Sequence, residues 1–325
     1  MKNENHELNF ITSLRGLACL SVCIGHFSGT ISNASIFHIF HYGIWGVHLF
    51  FIISGFILPY SMKNKQYKIV HFPLFLFKRI IRLEPPYLIS IFIIVLISFL
   101  AQLSPNHTST PINFYDINLI YNIFYVVEFF NGNWLNVVFW SLAIEFQFYI
   151  VLAIIFPLLN HSKIWIRYCV YILLLFSFFA LKNDDLIFHY ILFFLIGWLF
   201  YLFHDNQIKI VELLINVIFI IFLLFFTFGL VGLVCPLIFL VFYFFFIDKE
   251  SVLMFFGKIS YSMYLLHTPL GTDSFVQFFQ NYFSTTISQI IIAILGLGFV
   301  IFCSWIYFLF IEKWFIQLSK KINFH

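Results

Sequence analysis

Charge is what this sequence has least of. Of its 325 residues, 10% are Asp, Glu, Lys or Arg, where water-soluble chains carry about a quarter. With 62% hydrophobic residues and 50 Phe, there is too little polar surface to face water, so a soluble domain is excluded. Cysteines placed to pair across loops are also missing. Cys19, Cys23, Cys169, Cys235 and Cys303 all fall inside apolar runs, which excludes a disulfide framework and points to free thiols packed as small apolar groups. Cys19 and Cys23 lie one helical turn apart, but no two further soft ligands accompany them, so no metal is expected. The polar start, Met1 to Glu7, lacks the build of a signal peptide, and the first apolar run is expected to stay as an anchor. The net charge of +3 is too small to indicate nucleic acid. No internal repeat appears, which weighs against the two-halved design of many transporters.

What is present is a succession of long apolar runs. On a ~20-residue ruler they give about ten spans, near 8–30, 43–62, 74–101, 134–159, 166–181, 187–204, 208–228, 231–247, 251–271 and 286–317. The stretch Leu119 to Phe130 is too short and is expected to lie at the interface. The sequence therefore predicts an all-α integral membrane protein, one bundle of about ten transmembrane helices over 1–325 with no fused soluble domain. With the N-terminus inside, every basic residue except Lys182 falls at or near one surface, and the long outer loop Ala101 to Asn118 has none. Both termini are therefore expected in the cytoplasm.

Ionisable groups inside such spans are costly and by default mark a site. The first span carries Arg15 and His26, whose spacing returns to within about 20° of one helical face and separates them by ~16 Å along the axis. The second holds His48, Ser54 and Gly55, with Gly43 and Gly46 as small residues that admit close approach. The third opens with Arg79 and Arg82, three apart on one face, followed by Glu84-Pro85-Pro86. The proline pair is expected to kink or interrupt the helix, and two guanidiniums beside freed backbone suit a phosphate. Trp140, Ser141, Glu145 and Tyr149 occupy the fourth span, the last three on one face. A carboxylate so placed either pairs with an arginine or orients a histidine. The ninth span reads Gly257-Lys-Ile-Ser-Tyr261-Ser-Met-Tyr264-Leu-Leu-His267, and the tenth ends in Glu312-Lys313. The other histidines sit mostly in loops or at span ends and are treated as ordinary.

Taken together and in order, Arg15-x10-His26, Val47-His48-Leu-Phe-Phe-x-x-Ser54-Gly55-Phe56, Arg79-x-x-Arg82, Trp140-Ser141-Leu-x-x-Glu145-x-x-Phe148-Tyr149 and the Gly257 to His267 stretch resemble the acyltransferase 3 family of multi-span membrane acyltransferases. Glu312-Lys313 resembles that family's closing motif. This chain has His48 where the family's motif often carries Asp.

The resemblance implies transfer of an acyl group, commonly acetyl, from cytoplasmic acyl-CoA to a hydroxyl of a cell-surface or exported carbohydrate or glycolipid. The setting it implies is the inner membrane of a bacterium. Under that reading Arg15, Arg79 and Arg82 hold the donor's phosphates, and His26 is the general base supported by Glu145. Ser54, Gly55, Trp140, Ser141, Tyr149, Tyr261, Tyr264, His267 and Glu312 are supporting residues. An acyl-His26 relay is an alternative within the same chemistry. The competing reading is a polytopic carrier for a polysaccharide or lipid-linked sugar, since buried His, Glu and Arg also suit a proton relay. The acceptor's identity and the oligomeric state are not encoded in these motifs.

Overall fold

A backbone surrounded by so many apolar side chains must satisfy its N–H and C=O groups internally, and helices do this within one segment. The computed structural model describes residues 9–102, 116–245, 251–280, 282 and 285–322. Among these, every regular element is a helix and there is no strand. The principal helices are α1 (Asn9–Ser28), α2 (Ala34–His41), α3 (Gly46–Asn64), α4 (Phe72–Ala101), α5 (Ile117–Ile123), α6 (Phe139–Leu159), α7 (Ile164–Ala180), α8 (Ile187–His204), α9 (Ile210–Phe228) and α10 (Leu230–Phe245). After these come α11 (Val252–Lys258), α12 (Ser260–Leu266), a π-helical stretch (His267–Val276), α13 (Gln277–Gln280), α14 (Thr286–Tyr307), a π turn (Phe308–Glu312) and α15 (Lys313–Lys320).

Seven helical runs among the described residues are long and apolar enough to cross a membrane: Asn9–Ser28, Ala34–Asn64, Ile69–Ala101, Phe139–Leu159, Ile187–His204, Ile210–Phe228 and Thr286–Lys320. The expected spans at 166–181 and 231–247 correspond to the shorter apolar helices Ile164–Ala180 and Leu230–Phe245. The one at 251–271 is divided into α11, α12 and the π stretch. Both chain ends, Lys2, Lys249, His6, His107, His325 and most of the Ala101 to Asn118 loop lie outside the described residues. The 119–130 stretch forms the seven-residue α5 and a short 3-10 turn, Glu128–Phe130, far short of a bilayer's thickness.

Two expectations change in the structure. The fourth span starts at Phe139 rather than near residue 134, because residues 133–138 are held as a loop. Asn122 Oδ1 accepts from the Leu135 N–H (2.9 Å), Asn118 Oδ1 from the Asn133 N–H (2.8 Å), and Asn136 Oδ1 from the Val138 N–H (3.2 Å). The second concerns Pro85 and Pro86, which do not interrupt α4; it runs unbroken from Phe72 to Ala101. Proline is tolerated inside a helix whose neighbours hold the segment in a bundle. Here the turn is pinned from other elements: the Tyr261 hydroxyl donates to the Leu83 carbonyl (2.9 Å), and that of Tyr307 to the Pro86 carbonyl.

Helix α8 is the axis of the packing, with every residue from Tyr190 to Leu202 buried. It meets α3 backbone to backbone. A Cβ on Gly55 would stand 2.1 Å from the Phe194 carbonyl oxygen, and one on Gly197 would stand 2.0 Å from that of Ile52. No side chain fits there, so the glycine pair sets the crossing distance. At the other extreme, α9 turns Ile215, Ile218, Phe222 and Phe226 outward, the last 72% exposed. Apolar surface of this extent belongs against lipid rather than water.

Candidate active site

One cavity of about 480 Å³ opens inside the bundle between α1, α3, α4, α6 and α12. Each helix contributes through the polar positions that break its apolar pattern. Arg15 and Thr12 come from α1, Ser54, Tyr60, Ser61 and Asn64 from α3, and Arg79 and Arg82 from α4. Ser141, Glu145 and Tyr149 come from the shared face of α6, Ser260, Tyr261 and Tyr264 from α12, and Glu312 closes the π turn before α15. Lys65 also lines it, so the cavity lies toward the end of the bundle rich in basic residues.

Three guanidiniums and two carboxylates therefore share one enclosed space. The Arg79 guanidinium lies over the rings of Phe75 (5.2 Å) and Tyr149 (5.6 Å), stacking that favours a planar cation and fixes its orientation. Its Nε is buried with no hydrogen-bond partner. Glu145 Oε1 accepts from the Ser54 hydroxyl at 2.7 Å, while Glu312 Oε2 accepts from the N–H (3.1 Å) and hydroxyl (2.5 Å) of Ser262. The acid–base contacts within 4.0 Å among the described residues are Lys63–Asp205 and His189–Asp184, the second an ion pair only when the imidazole is protonated, and neither uses Arg15, Arg79 or Arg82. The carboxylates are thus tied to hydroxyls, and the arginines keep donors for a guest. Chemically this is an anion cradle in a water-poor setting, where such contacts are stronger than in bulk water.

His26 does not line this cavity. It sits at the opposite end of α1 from Arg15, its ring 5.1 Å from that of His267. The Glu145–His26 pairing expected from sequence is not what the structure brings together: Glu145 bonds Ser54, and the imidazole neighbour of His26 is His267. The reason is axial. His26 stands ~16 Å along α1 from Arg15, whereas Glu145 lies at the arginine level, near enough to Arg15 and Arg79 to interact with both electrostatically. Between the two regions stand Tyr264 and Ser141, whose hydroxyls are 2.6 Å apart. Tyr264 lines the cavity, and its ring is 5.8 Å from that of His267.

Two of the expected supporting residues, Gly55 and Trp140, do not line the cavity, and neither does His48. Gly55 serves the α3–α8 contact. Trp140 faces away from the cavity, its ring 5.6 Å from Tyr190 and 6.3 Å from Phe51. His48 packs among Phe193 (4.8 Å), Phe228 (5.8 Å) and Tyr190 (6.1 Å) on the α8 side. Sequence reading missed Thr12, Tyr60, Ser61 and Asn64. The available signal was that Ser61 follows Ser54 by two helical turns, which continues one polar stripe down α3; the Tyr60 to Lys65 segment resembles a span boundary and hides it. All five cysteines are free, and Cys19 Sγ donates to the Ser260 carbonyl at 3.3 Å, a packing role. Among the described residues no three His, Cys, Asp or Glu side chains gather as metal ligands do.

Compared with known proteins, residues 8–309 match the acyltransferase 3 family model, described as an acyltransferase domain. Neither a curated protein nor a solved structure matches the chain.

Proposed function

The chain belongs to this acyltransferase family, and on that premise we propose that it moves an acyl group, acetyl by family habit, from cytoplasmic acyl-CoA to a hydroxyl of an exported or cell-surface carbohydrate. The observation that carries the reading is the cavity in which Arg15, Arg79 and Arg82 meet without an ion-pair partner within 4.0 Å. Coenzyme A is an anion that cannot enter lipid unaided, and a guanidinium cradle at the basic, cytoplasmic end of the bundle supplies what its phosphates require. The pantetheine arm then runs up the cavity along α1, and the ~16 Å rise between Arg15 and His26 is within its reach.

His26 is the general base in this proposal. It takes the proton of the acceptor hydroxyl as the oxygen attacks the thioester carbonyl; the C–S bond breaks, and the proton passes to the departing thiolate. The hydroxyls of Ser141 and Tyr264 border the path of the thioester and donate to the developing oxyanion. Glu145 acts one level lower, as a counter-charge that keeps Arg15 and Arg79 in place. Both chain ends lie in the cytoplasm, about ten segments cross the inner membrane of a bacterium, and no metal takes part.

Reconstitution in liposomes with acetyl-CoA and an envelope polysaccharide fraction tests this. The expected result is donor-dependent thiol release without any gradient, lost in correctly inserted His26→Ala. Polysaccharide flux with no consumption of CoA means a carrier instead. Protein-bound radiolabel from acetyl-CoA alone, without acceptor, separates an acyl-His26 relay from direct transfer.

A further inference from the structure

His267 is completely buried and opens the π-helical stretch His267–Val276. Such π turns are rare and concentrate at functional sites. The segment is anchored on the next residue, where the Thr268 hydroxyl donates to Asn136 Oδ1 (2.7 Å) while Asn136 Nδ2 donates to the Leu265 carbonyl (3.2 Å). The ring's own contacts fix its protonation. Nδ1 faces the carbonyl oxygens of Tyr264 (2.9 Å) and Met263 (3.2 Å); both only accept, so Nδ1 carries the hydrogen and Nε2 of the neutral ring keeps a lone pair. That Nε2 is buried and has no hydrogen-bond partner. Its two ring neighbours are Tyr264, whose hydroxyl is engaged with Ser141 and the Val138 carbonyl, and His26 at 5.1 Å. A ring-to-ring hydrogen bond of about 3 Å puts two imidazole centroids roughly 5 Å apart. His26 is half-buried while His267 is wholly enclosed, so of the two rings it is that of His26 that has room to turn.

We propose that His267 is a positioning residue for His26: its Nε2 lone pair accepts a ring N–H of His26, which leaves the other His26 nitrogen bare toward the acceptor hydroxyl. This rests on the reading of His26 as the base and replaces Glu145 as its orienting partner. When the acceptor's O–H proton reaches His26, the imidazolium is held by the His267 lone pair. The thioester C–S bond breaks as the new C–O bond forms, and the same proton leaves with the thiol. His267 itself neither gains nor loses a proton.

The experiment compares His267→Phe, which keeps the ring but has no acceptor, with His267→Gln, whose side-chain oxygen can accept from His26. Both are assayed as purified full-length protein by thiol release from acetyl-CoA with an envelope polysaccharide fraction, alongside His26→Ala. The expected result is a kcat lower by roughly 10- to 100-fold in the Phe variant, as for lost orienting partners elsewhere. Its acetyl-CoA KM stays unchanged, and the Gln variant recovers most of the rate. A Phe variant with wild-type kcat, a Gln variant as slow as Phe, or a loss carried in KM overturns the proposal. If His26→Ala itself remains active, the base assignment falls first; if it is inactive while His267→Phe is not, only the positioning role falls.

Discussion

Arg79 shows how a single side chain is made specific by what surrounds it. Its plane rests on Phe75 and Tyr149, so charge alone does not replace it. Arg79→Lys is expected to raise the acetyl-CoA KM about 10-fold with a smaller change in kcat, because an ammonium neither stacks nor forks; steady-state kinetics at varied donor concentration checks this. Glu312 is held differently, by two hydrogen bonds from Ser262. Replacing it with Ala strands that N–H and hydroxyl in a buried place, a loss of about 1–3 kcal/mol. Thermal unfolding in detergent would show it as a lowered midpoint, and a midpoint equal to wild type would contradict the packing described. From spacing, Arg79 and Arg82 were legible as one helical face, with Arg15 on the same side, and Ser141, Glu145 and Tyr149 as another face; that the two groups line a single cavity appears only in the structure. The partner of Glu145 was not legible either, because depth along two antiparallel helices depends on span boundaries, and Asn136 and its neighbours shift one of them.

At the level of elements, the α3–α8 contact governs where the cavity's α3 wall stands. Gly55 and Gly197 leave no room for a Cβ, so Gly197→Val should destabilise the bundle by at least the ~1–3 kcal/mol typical of overpacking, and lower activity without touching a cavity-lining group. Retained thermal stability would argue against so close a crossing. Small residues in the second span were visible in the sequence as packing devices; their partner on α8 was not, since nothing in one apolar run names the run it will meet. The division of the predicted ninth span into α11, α12 and a π stretch was equally hidden. Its hydropathy is continuous, and the break arises from side chains on other elements, among them Asn136 bonding Leu265 and Thr268.

For the whole molecule, the segregation of basic residues predicts sidedness. Ser162, between α6 and α7, and Asn183, between α7 and α8, are both exposed and lie at opposite ends of α7. In a cysteine-free background, cysteines placed at these two positions should be labelled by a membrane-impermeant thiol reagent from opposite faces, Ser162→Cys from the cytoplasmic one. Labelling of both from one face would remove the topology. The hydroxyl contact between Ser141 and Tyr264 has a meaning at this scale too. Both side chains line the cavity, and the pair stands between its arginines and His267. If the thioester passes this point as proposed, that bond has to open for it once per turnover and re-form behind it. The resting protein should therefore hold a proton gradient across the vesicle that carries it, as a door does that opens only for its own traffic.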